Sequence, residues 1–230
     1  MLKEVFQNLN ELLYPKVCHT CQSRLTGSNH HLCDWCSEHI FPLANPDYNQ
    51  SCGIDFLPEK IIFQHALWKF DKGGYLQELL HSLKYHNLPG VGVDMGKALG
   101  KSLLKHPMIS DFENTRLVPV PLHPQKEQSR GYNQARAIAE GISDVTGFEI
   151  IKPKTVIRRK QTKTQTGFNL SQRQQNVSQA FFVAELYSVT ITPLIIVDDV
   201  FTTGATVFEL ASTVSRFSAF PIAIATIATA

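Results

Sequence analysis

The sequence predicts an α/β protein: a mainly parallel sheet flanked by helices, preceded by a small N-terminal module with four cysteines. Three observations predict it. From residue 60 onward, apolar segments of strand length alternate with amphipathic helical segments. An apolar run at 194–197 leads into two aspartates and a Thr/Gly-rich turn. Two Cys-x-x-Cys pairs stand close together near the N-terminus.

Length and composition fit one ordinary domain with a short appended module. The chain has 230 residues, of which 43% are hydrophobic and 18% are charged, as in folded proteins. It lacks a signal-peptide apolar core and any apolar run long enough for a membrane span. We therefore expect a cytoplasmic protein without stable membrane insertion. The net charge of +2 does not by itself imply nucleic acid or membrane as a partner.

Positive charge is concentrated between Glu149 and Glu185, where no acidic residue occurs. Such a stretch is either a solvated, mobile face or a binding segment for anions. Its basic residues are Lys152, Lys154, Arg158, Arg159, Lys160, Lys163 and Arg173.

Cysteine spacing predicts a structural zinc module within residues 1–45. Each Cys-x-x-Cys turn presents two thiolates to one ion, and two such turns complete a tetrahedron. With all four ligands from the protein, no position is left for water, so the metal's role would be structural. The predicted ligands are Cys18, Cys21, Cys33 and Cys36.

Other interpretations of these cysteines fit less well. A secreted disulfide scaffold would need a secretory signal, and thioredoxin-like redox sites use one pair at a strand-to-helix junction. A nearby histidine remains possible as a substitute ligand, although an all-cysteine site is simpler. The candidates are His19, His30, His31 and His39.

The remaining elements follow from local patterns. A short amphipathic helix is predicted before Pro15, and residues 41–60 form an irregular, proline-containing linker. Residues 60–230 form the larger domain. Its predicted strands lie near 61–70, 115–118, 149–152, 194–197 and 221–227, and its helices near 73–86, 93–105, 133–145 and 204–216. Prolines 119 and 121 should keep the second strand out of the middle of the sheet beyond Val118.

The segment from 194 to 206 carries the most chemical information. Asp198 and Asp199, placed at the carboxyl end of a buried strand, can accept hydrogen bonds from vicinal ribose hydroxyls and help to hold Mg²⁺. The turn that follows opens a helix, whose N-terminal N–H groups bind phosphate. An ordinary capped turn would leave two adjacent acids repelling each other. The phosphate-binding residues would be Thr202, Thr203, Gly204, Ala205 and Thr206.

This segment resembles the motif by which type I phosphoribosyltransferases bind 5-phosphoribosyl diphosphate (PRPP). Residues 118–124 and 130–135, written VPVPLHP and RGYNQA, resemble the segment that marks the ComF family of competence-associated proteins. Lys84-Tyr85, Arg158-Arg159 and residues 176–181 are also similar to that family. With the cysteine pairs, the resemblance spans essentially the whole chain.

The resemblance implies a type I phosphoribosyltransferase-like fold and adds site residues. Val120 and Pro121 would belong to the loop that receives pyrophosphate, and Arg130 would lie just beyond it. The basic stretch, with Arg158 and Lys163, would correspond to the flexible loop that closes over the ligand. It also implies Mg²⁺ bound with PRPP, and single-stranded DNA and DNA-uptake proteins as partners.

One departure from the family concerns a further Cys-x-x-Cys pair, of which only Cys52 is present. We interpret Cys52 as a lone thiol, although it could replace one of the four ligands. His123 lies in the family segment and could act as an acid, base or ligand. Trp68, Tyr85 and Tyr132 have basic neighbours and could stack bases of a single strand.

Two functions remain open at this level. The first is a Mg²⁺-dependent transferase that moves the phosphoribosyl group from PRPP to an acceptor, with Asp198 and Asp199 as the catalytic pair. The second is a protein that binds PRPP without turnover and handles single-stranded DNA during DNA uptake. The acceptor cannot be named, because no base-reading pattern is recognisable before Arg116.

Overall fold

The computed structural model describes residues 15–25, 31–45, 60–160 and 179–230. The predicted helix before Pro15 and most of the predicted linker lie outside these residues. So do His30, Cys52 and Lys163.

Strands and helices alternate from residue 61 onward. The strands are β1 Ile61–Lys69, β2 Arg116–Pro119, β3 Glu149–Ile150, β4 Val156–Arg158, β5 Phe181–Val183, β6 Leu194–Phe201 and β7 Ile222–Thr229. The helices are α1 Asp34–His39 in the cysteine module, then α2 Tyr75–Tyr85, α3 Pro89–Leu103, α4 Pro124–Arg130, α5 Gln134–Thr146, α6 Tyr187–Thr190 and α7 Ala205–Ser215.

Five strands form a parallel sheet in the order β1-β7-β6-β2-β3, while β4 and β5 form a separate antiparallel pair. The predicted mainly parallel sheet flanked by helices is confirmed. As expected from its prolines, β2 ends at Pro119, although Val120 still donates a backbone hydrogen bond to Val197 at 2.9 Å.

Two predicted boundaries were wrong. The strand that starts at Leu194 continues to Phe201, so both aspartates lie within β6 and not beyond its end. The second helix begins at Pro89, earlier than the predicted residue 93, because proline is well suited to the first turn of a helix. The β4–β5 pair and α4 were not predicted.

The sheet separates two apolar layers. Ile195 and Val197 of β6 belong to a cluster with α2, α3 and α5, whereas Leu194 and Ile196 belong to a cluster with α7, β4 and β5. This alternation follows from the two-residue period of a strand. From Leu194 to Val197, consecutive side chains therefore face opposite layers, whereas Val200 packs against the first cluster and Phe201 belongs to the second.

Helices α3 and α5 approach closely because small residues line their contact. A Cβ added at Gly96 would lie 2.1 Å from the carbonyl oxygen of Ile138. The cysteine module packs against the same layer, since Cys18, Leu32 and Phe41 share the cluster that contains α3.

The module also covers part of the edge strand of the sheet. Lys69 donates a backbone hydrogen bond to Pro42 at 2.8 Å, and Ala44 donates one to Leu67 at 3.1 Å. Leu43 and Trp68 form an antiparallel bridge between these bonds.

Among the described residues, no helix is both long and apolar enough to cross a bilayer.

Candidate functional site

A cleft of about 640 Å³ opens at the carboxyl ends of β2 and β6. This is the edge of a parallel α/β sheet at which ligands usually bind. Residues from four separate parts of the chain meet there. They are Lys84, Tyr85, Asn87, Val120, Leu122, Lys126, Ser129, Arg130, Gln134, Arg158, Asp198, Asp199 and Thr206.

Asp199 faces the α2 side of the sheet and is paired with Lys84. The Lys84 Nζ atom lies 2.6 Å from Asp199 Oδ2, and the aspartate side chain is only 9% exposed. Burial alone would lower the pKa of Lys84, but the Asp199 carboxylate outweighs it and leaves that pKa above its usual value. Lys84 therefore carries a positive charge inside the cleft.

Asp198, the residue before Asp199 in β6, lines the same cleft. Burial, followed by the neighbouring Asp199 carboxylate, raises the pKa of Asp198 to about 7. Lys84 and Arg158 act in the other direction but do not cancel the shift. The two aspartates therefore differ: Asp199 is held in an ion pair, and Asp198 titrates near neutral pH.

Three further cations surround the carboxylates. Burial first, and then the charges of Arg158 and Arg130, lower the pKa of Lys126. Arg130 is held by a 2.8 Å hydrogen bond from its Nη1 atom to Gln134 Oε1. Positive groups crowded around two acids form a cleft suited to a phosphate-bearing ligand that also has hydroxyl groups or a metal ion.

The turn between β6 and α7 has the features of an anion site. Gly204 adopts a left-handed conformation with φ 73°, and no side chain caps the first turn of α7. The first N–H groups of such a helix attract negative charge. The Thr203 hydroxyl is buried and has no hydrogen-bond partner within the described part of the chain.

The cleft lining contains six of the twelve predicted ligand-binding residues. Asp198, Asp199, Val120, Arg130, Arg158 and Thr206 line the cleft. Pro121 instead lines a neighbouring cleft. Thr202, Thr203, Gly204 and Ala205 follow directly after β6, at its carboxyl end. Lys163 lies outside the described residues.

Lys84, Tyr85 and Lys126 were missed as site residues. The sequence gives Lys84-Tyr85 as part of the family resemblance and Tyr85 as a base-stacking candidate, but nothing at the end of α2 indicates contact with Asp199. Tyr85 is 62% exposed, and the Arg130 guanidinium lies 5.6 Å from its ring centroid. The tyrosine thus presents an aromatic face at the mouth of the cleft.

Other aromatic and histidine candidates take structural positions. Trp68 is fully buried in the core. The Tyr132 hydroxyl donates to the carbonyl of Leu83. His123 caps α4, with its Nδ1 atom accepting from the Gln125 amide at 3.4 Å.

The four predicted cysteines form a second centre. Their Sγ atoms lie within 4.8 Å of one another, and Cys21 Sγ lies 3.7 Å from Cys33 Sγ. Two thiolates on a tetrahedral Zn²⁺ with bonds of about 2.3 Å would be about 3.8 Å apart. None of the four forms a disulfide. The group can hold a metal ion.

Amide groups and thiol acidity also fit a metal centre. The backbone amides of Cys33 and Cys36 point to Cys18 Sγ and Cys33 Sγ at 3.5 Å and 3.4 Å. Hydrogen bonds from Ser23 lower the pKa of Cys21 to about 6, whereas burial raises the pKa of Cys33 and of Cys36. Metal binding would therefore displace protons from the buried thiols.

Asp94 attaches the cysteine module to α3. Its Oδ2 atom accepts hydrogen bonds from the amides of His31 at 2.6 Å and Leu32 at 3.0 Å. Asp94 is only 4% exposed. Because Asp94 is buried and accepts from two amides, it fixes the position of the segment that leads into Cys33.

Relatives of known name match most of the chain. "Competence protein ComFC" of Bacillus subtilis is 23% identical over 83% of this chain and 74% of its own length. "DNA utilization protein YhgH" of Salmonella typhimurium is 26% identical over 93% of this chain and 96% of its own length. "Competence protein F" of Haemophilus influenzae is 27% identical over 84% of this chain and 88% of its own length. No family model matches the chain.

Proposed function

We propose that this chain, a member of the ComF family, binds PRPP in the cleft at the carboxyl end of β6 and takes part in the uptake or use of DNA. The relatives named for competence and DNA utilization support the second part of this role. Within this role, the chain would bind PRPP and handle single-stranded DNA.

The observation that carries the proposal is the charge arrangement of the cleft. Two acids, Asp198 and Asp199, lie among Lys84, Lys126, Arg130 and Arg158, next to the uncapped start of α7. PRPP needs both kinds of group, because it combines ribose hydroxyls with a 5-phosphate and a diphosphate.

Each part of the ligand has a matching part of the site. The 5-phosphate would lie on the turn formed by Thr202, Thr203, Gly204, Ala205 and Thr206. Asp198 and Asp199 would hold the ribose hydroxyls. The diphosphate would lie against the loop at Val120 and Pro121, with Arg130, Arg158 and Lys163 neutralising its charge.

Two metal ions belong to the proposal. Mg²⁺ would enter with PRPP and neutralise part of its diphosphate charge, with the aspartates as the carboxylate ligands available to it. Zn²⁺ would fill the four-cysteine centre and act structurally, because the protein supplies all four ligands.

An active transferase is the second candidate function, and the exposed ring of Tyr85 favours it. In that reaction the bond between ribose C1 and the diphosphate oxygen breaks, the acceptor forms a new bond to C1, and diphosphate leaves with the electron pair. An aromatic face at the mouth of the cleft would suit a planar acceptor.

The first experiment is a calorimetric titration of the metal-loaded protein with PRPP and Mg²⁺, followed by an assay for diphosphate release. We expect binding by the wild type and none by the double variant Asp198→Asn/Asp199→Asn, with both proteins folded by circular dichroism. Absence of binding by the wild type would refute the proposal. Acceptor-dependent diphosphate release would select the transferase, and binding without release would select the binding protein.

A further inference from the structure

A second cleft of about 540 Å³ lies beside the first, on the far side of the loop that follows β2. It is bounded by that loop, by the turn after β3 and by β4. Leu122 and Arg158 line both clefts. Of the residues assigned to PRPP, Pro121 and Arg158 also line the second cleft, and the rest of its lining has no part in the proposed PRPP site.

The walls of the second cleft are apolar and stiff. They include Pro121, Leu122, Ile151, Pro153 and Ile157. Proline rings have fixed backbone torsions, so these walls are largely formed before a ligand arrives. A preformed apolar cleft of this volume is suited to a flat ring system.

The rim of the cleft is cationic. Lys152, Lys154 and Arg159 are all exposed and contribute to it, and among the residues that the structure describes Glu127 is the one acidic residue of the lining. Lys152 and Lys154 stand on a tight turn closed by a 3.2 Å hydrogen bond from the Thr155 amide to the Lys152 carbonyl. Lys154 adopts φ 69° in this turn, so its backbone direction is fixed by the turn geometry.

Apolar walls beneath a cationic rim match a ligand with a flat ring and an attached anion. We propose that the second cleft binds one nucleotide unit of single-stranded DNA, with the base between the apolar walls and the adjoining phosphates on Lys152 and Lys154. The proposal rests on the role in DNA handling and not on PRPP binding in the first cleft. An acidic peptide would match the rim but would leave the apolar walls without a partner.

The rim is tested with a fluorescein-labelled 12-nucleotide oligothymidine and fluorescence anisotropy. We expect the double variant Lys152→Glu/Lys154→Glu to bind at least about 10-fold more weakly, and the slope of log K against log salt to become about 1.4 shallower, since each single-strand phosphate contact contributes about 0.7. The matched control is Lys69→Glu/Lys72→Glu, with the same charge change near β1, at the opposite edge of the sheet. It should bind within about 2-fold of the wild type.

The walls are tested separately with Ile157→Asn. We expect about 10-fold weaker oligonucleotide binding with an unchanged salt slope, because one aliphatic contact is lost and no charge is altered. Ile191→Asn, at a 42% exposed isoleucine outside the cleft lining, is the control. If Ile157→Asn unfolds, the uncharged variant Pro153→Asn in the exposed turn serves as the wall variant.

Three results would overturn the proposal: no oligonucleotide binding by the wild type, unchanged affinity in both the rim and wall variants, or equal displacement of the oligonucleotide by a 12-residue polyglutamate. Titration of the rim variant with PRPP separates this inference from the proposed function. PRPP affinity should stay within about 2-fold of the wild type, because neither lysine lines the first cleft.

Discussion

The Lys84 Nζ atom lies 2.6 Å from Asp199 Oδ2, and this ion pair joins the end of α2 to the end of β6 inside the candidate PRPP cleft. Asp199 is nearly buried and has Asp198 as its neighbour in the chain. Lys84 therefore offsets the repulsion that two adjacent acids would otherwise suffer. It also leaves a cation beside the carboxylates for a ligand phosphate.

Removing the lysine should affect both stability and binding. Lys84→Met leaves Asp199 without its partner, and we expect a loss of about 2 kcal/mol in the free energy of unfolding, less than for a fully buried pair because Lys84 is a quarter exposed. PRPP affinity should fall at least about 10-fold. Urea unfolding and calorimetry measure these effects. Lys101→Met, which breaks the exposed pair with Asp34, should cost under about 0.5 kcal/mol.

Asp198 should make stability depend on pH. Its carboxyl holds a proton up to about pH 7 in the folded chain but only to about pH 4 in the unfolded chain. The folded state therefore binds more protons between these values, and the carboxyl's contribution to the free energy of unfolding falls as pH rises from about 4 to about 7.

Asp198→Asn removes this titration, so the variant should gain stability relative to the wild type on going from pH 5 to pH 8. Urea unfolding at both pH values measures the difference. Asp111→Asn, at an exposed aspartate outside the cleft, is the matched control. An equal stability difference between wild type and Asp198→Asn at both pH values would contradict the raised pKa.

Gly204 should not tolerate a side chain. An added Cβ would lie 2.3 Å from Phe208 Cε2 and 2.7 Å from Phe201 Cζ, and the backbone is left-handed. Gly204→Ala should lower the free energy of unfolding by about 2–3 kcal/mol. It should also weaken PRPP binding, because the turn has to move. Gly147→Ala is a matched control, because it has the same φ of +73° with nothing within 4 Å of the added carbon. It should cost only about 1 kcal/mol, measured by urea unfolding, and leave binding unchanged.

Asp94 should control how the cysteine module is held on α3. Asp94→Ala removes the acceptor of the His31 and Leu32 amides, and we expect the free energy of unfolding to fall by about 2 kcal/mol. Hydrogen exchange of residues 31–45 should be faster in Asp94→Ala than in the wild type, with little change in the sheet. Asp94→Asn retains one carbonyl oxygen as an acceptor, so its free energy of unfolding should fall less than that of Asp94→Ala. Equal exchange in wild type and Asp94→Ala would show that the carboxylate does not hold the module.

Metal removal should act locally. We expect one zinc per chain, released by a strong chelator, with loss of exchange protection around Cys18–Cys36 and a retained parallel sheet by circular dichroism. Cys21→Ser should lose the metal. His19→Ala should keep it, since the four sulfur atoms alone complete the site. Retention of zinc by Cys21→Ser with loss in His19→Ala would instead identify a histidine ligand.

The features that the sequence predicted well depend on neighbours in the chain. Apolar runs identified β1 and β6, the amphipathic pattern identified α2, and the cysteine spacing placed four thiols together. Each of these is set by residues only a few positions apart. The extension of β6 to Phe201 was missed because acids are unusual inside a strand, and here Lys84 offsets one of them.

The features that were missed depend on residues far apart in sequence. Lys84 meets Asp199 only because α2 ends above the carboxyl end of β6, and Asp94 meets the amide of His31 only because the module folds back on α3. Local periodicity carries no information on such pairings. The environments of Asp198 and Asp199 also depend on β6 continuing through both residues.

The backbone pairing between residues 42–44 and β1 has a consequence for how the protein behaves in concentrated solution. β1 is the last strand of its sheet, and an uncovered last strand offers its N–H and C=O groups to any other chain. The segment that follows the cysteines occupies part of this edge. Loss of the metal would loosen this segment and leave more of the β1 edge open to strand-to-strand aggregation. The supply of metal would then affect the solubility of the protein as well as the fold of its module.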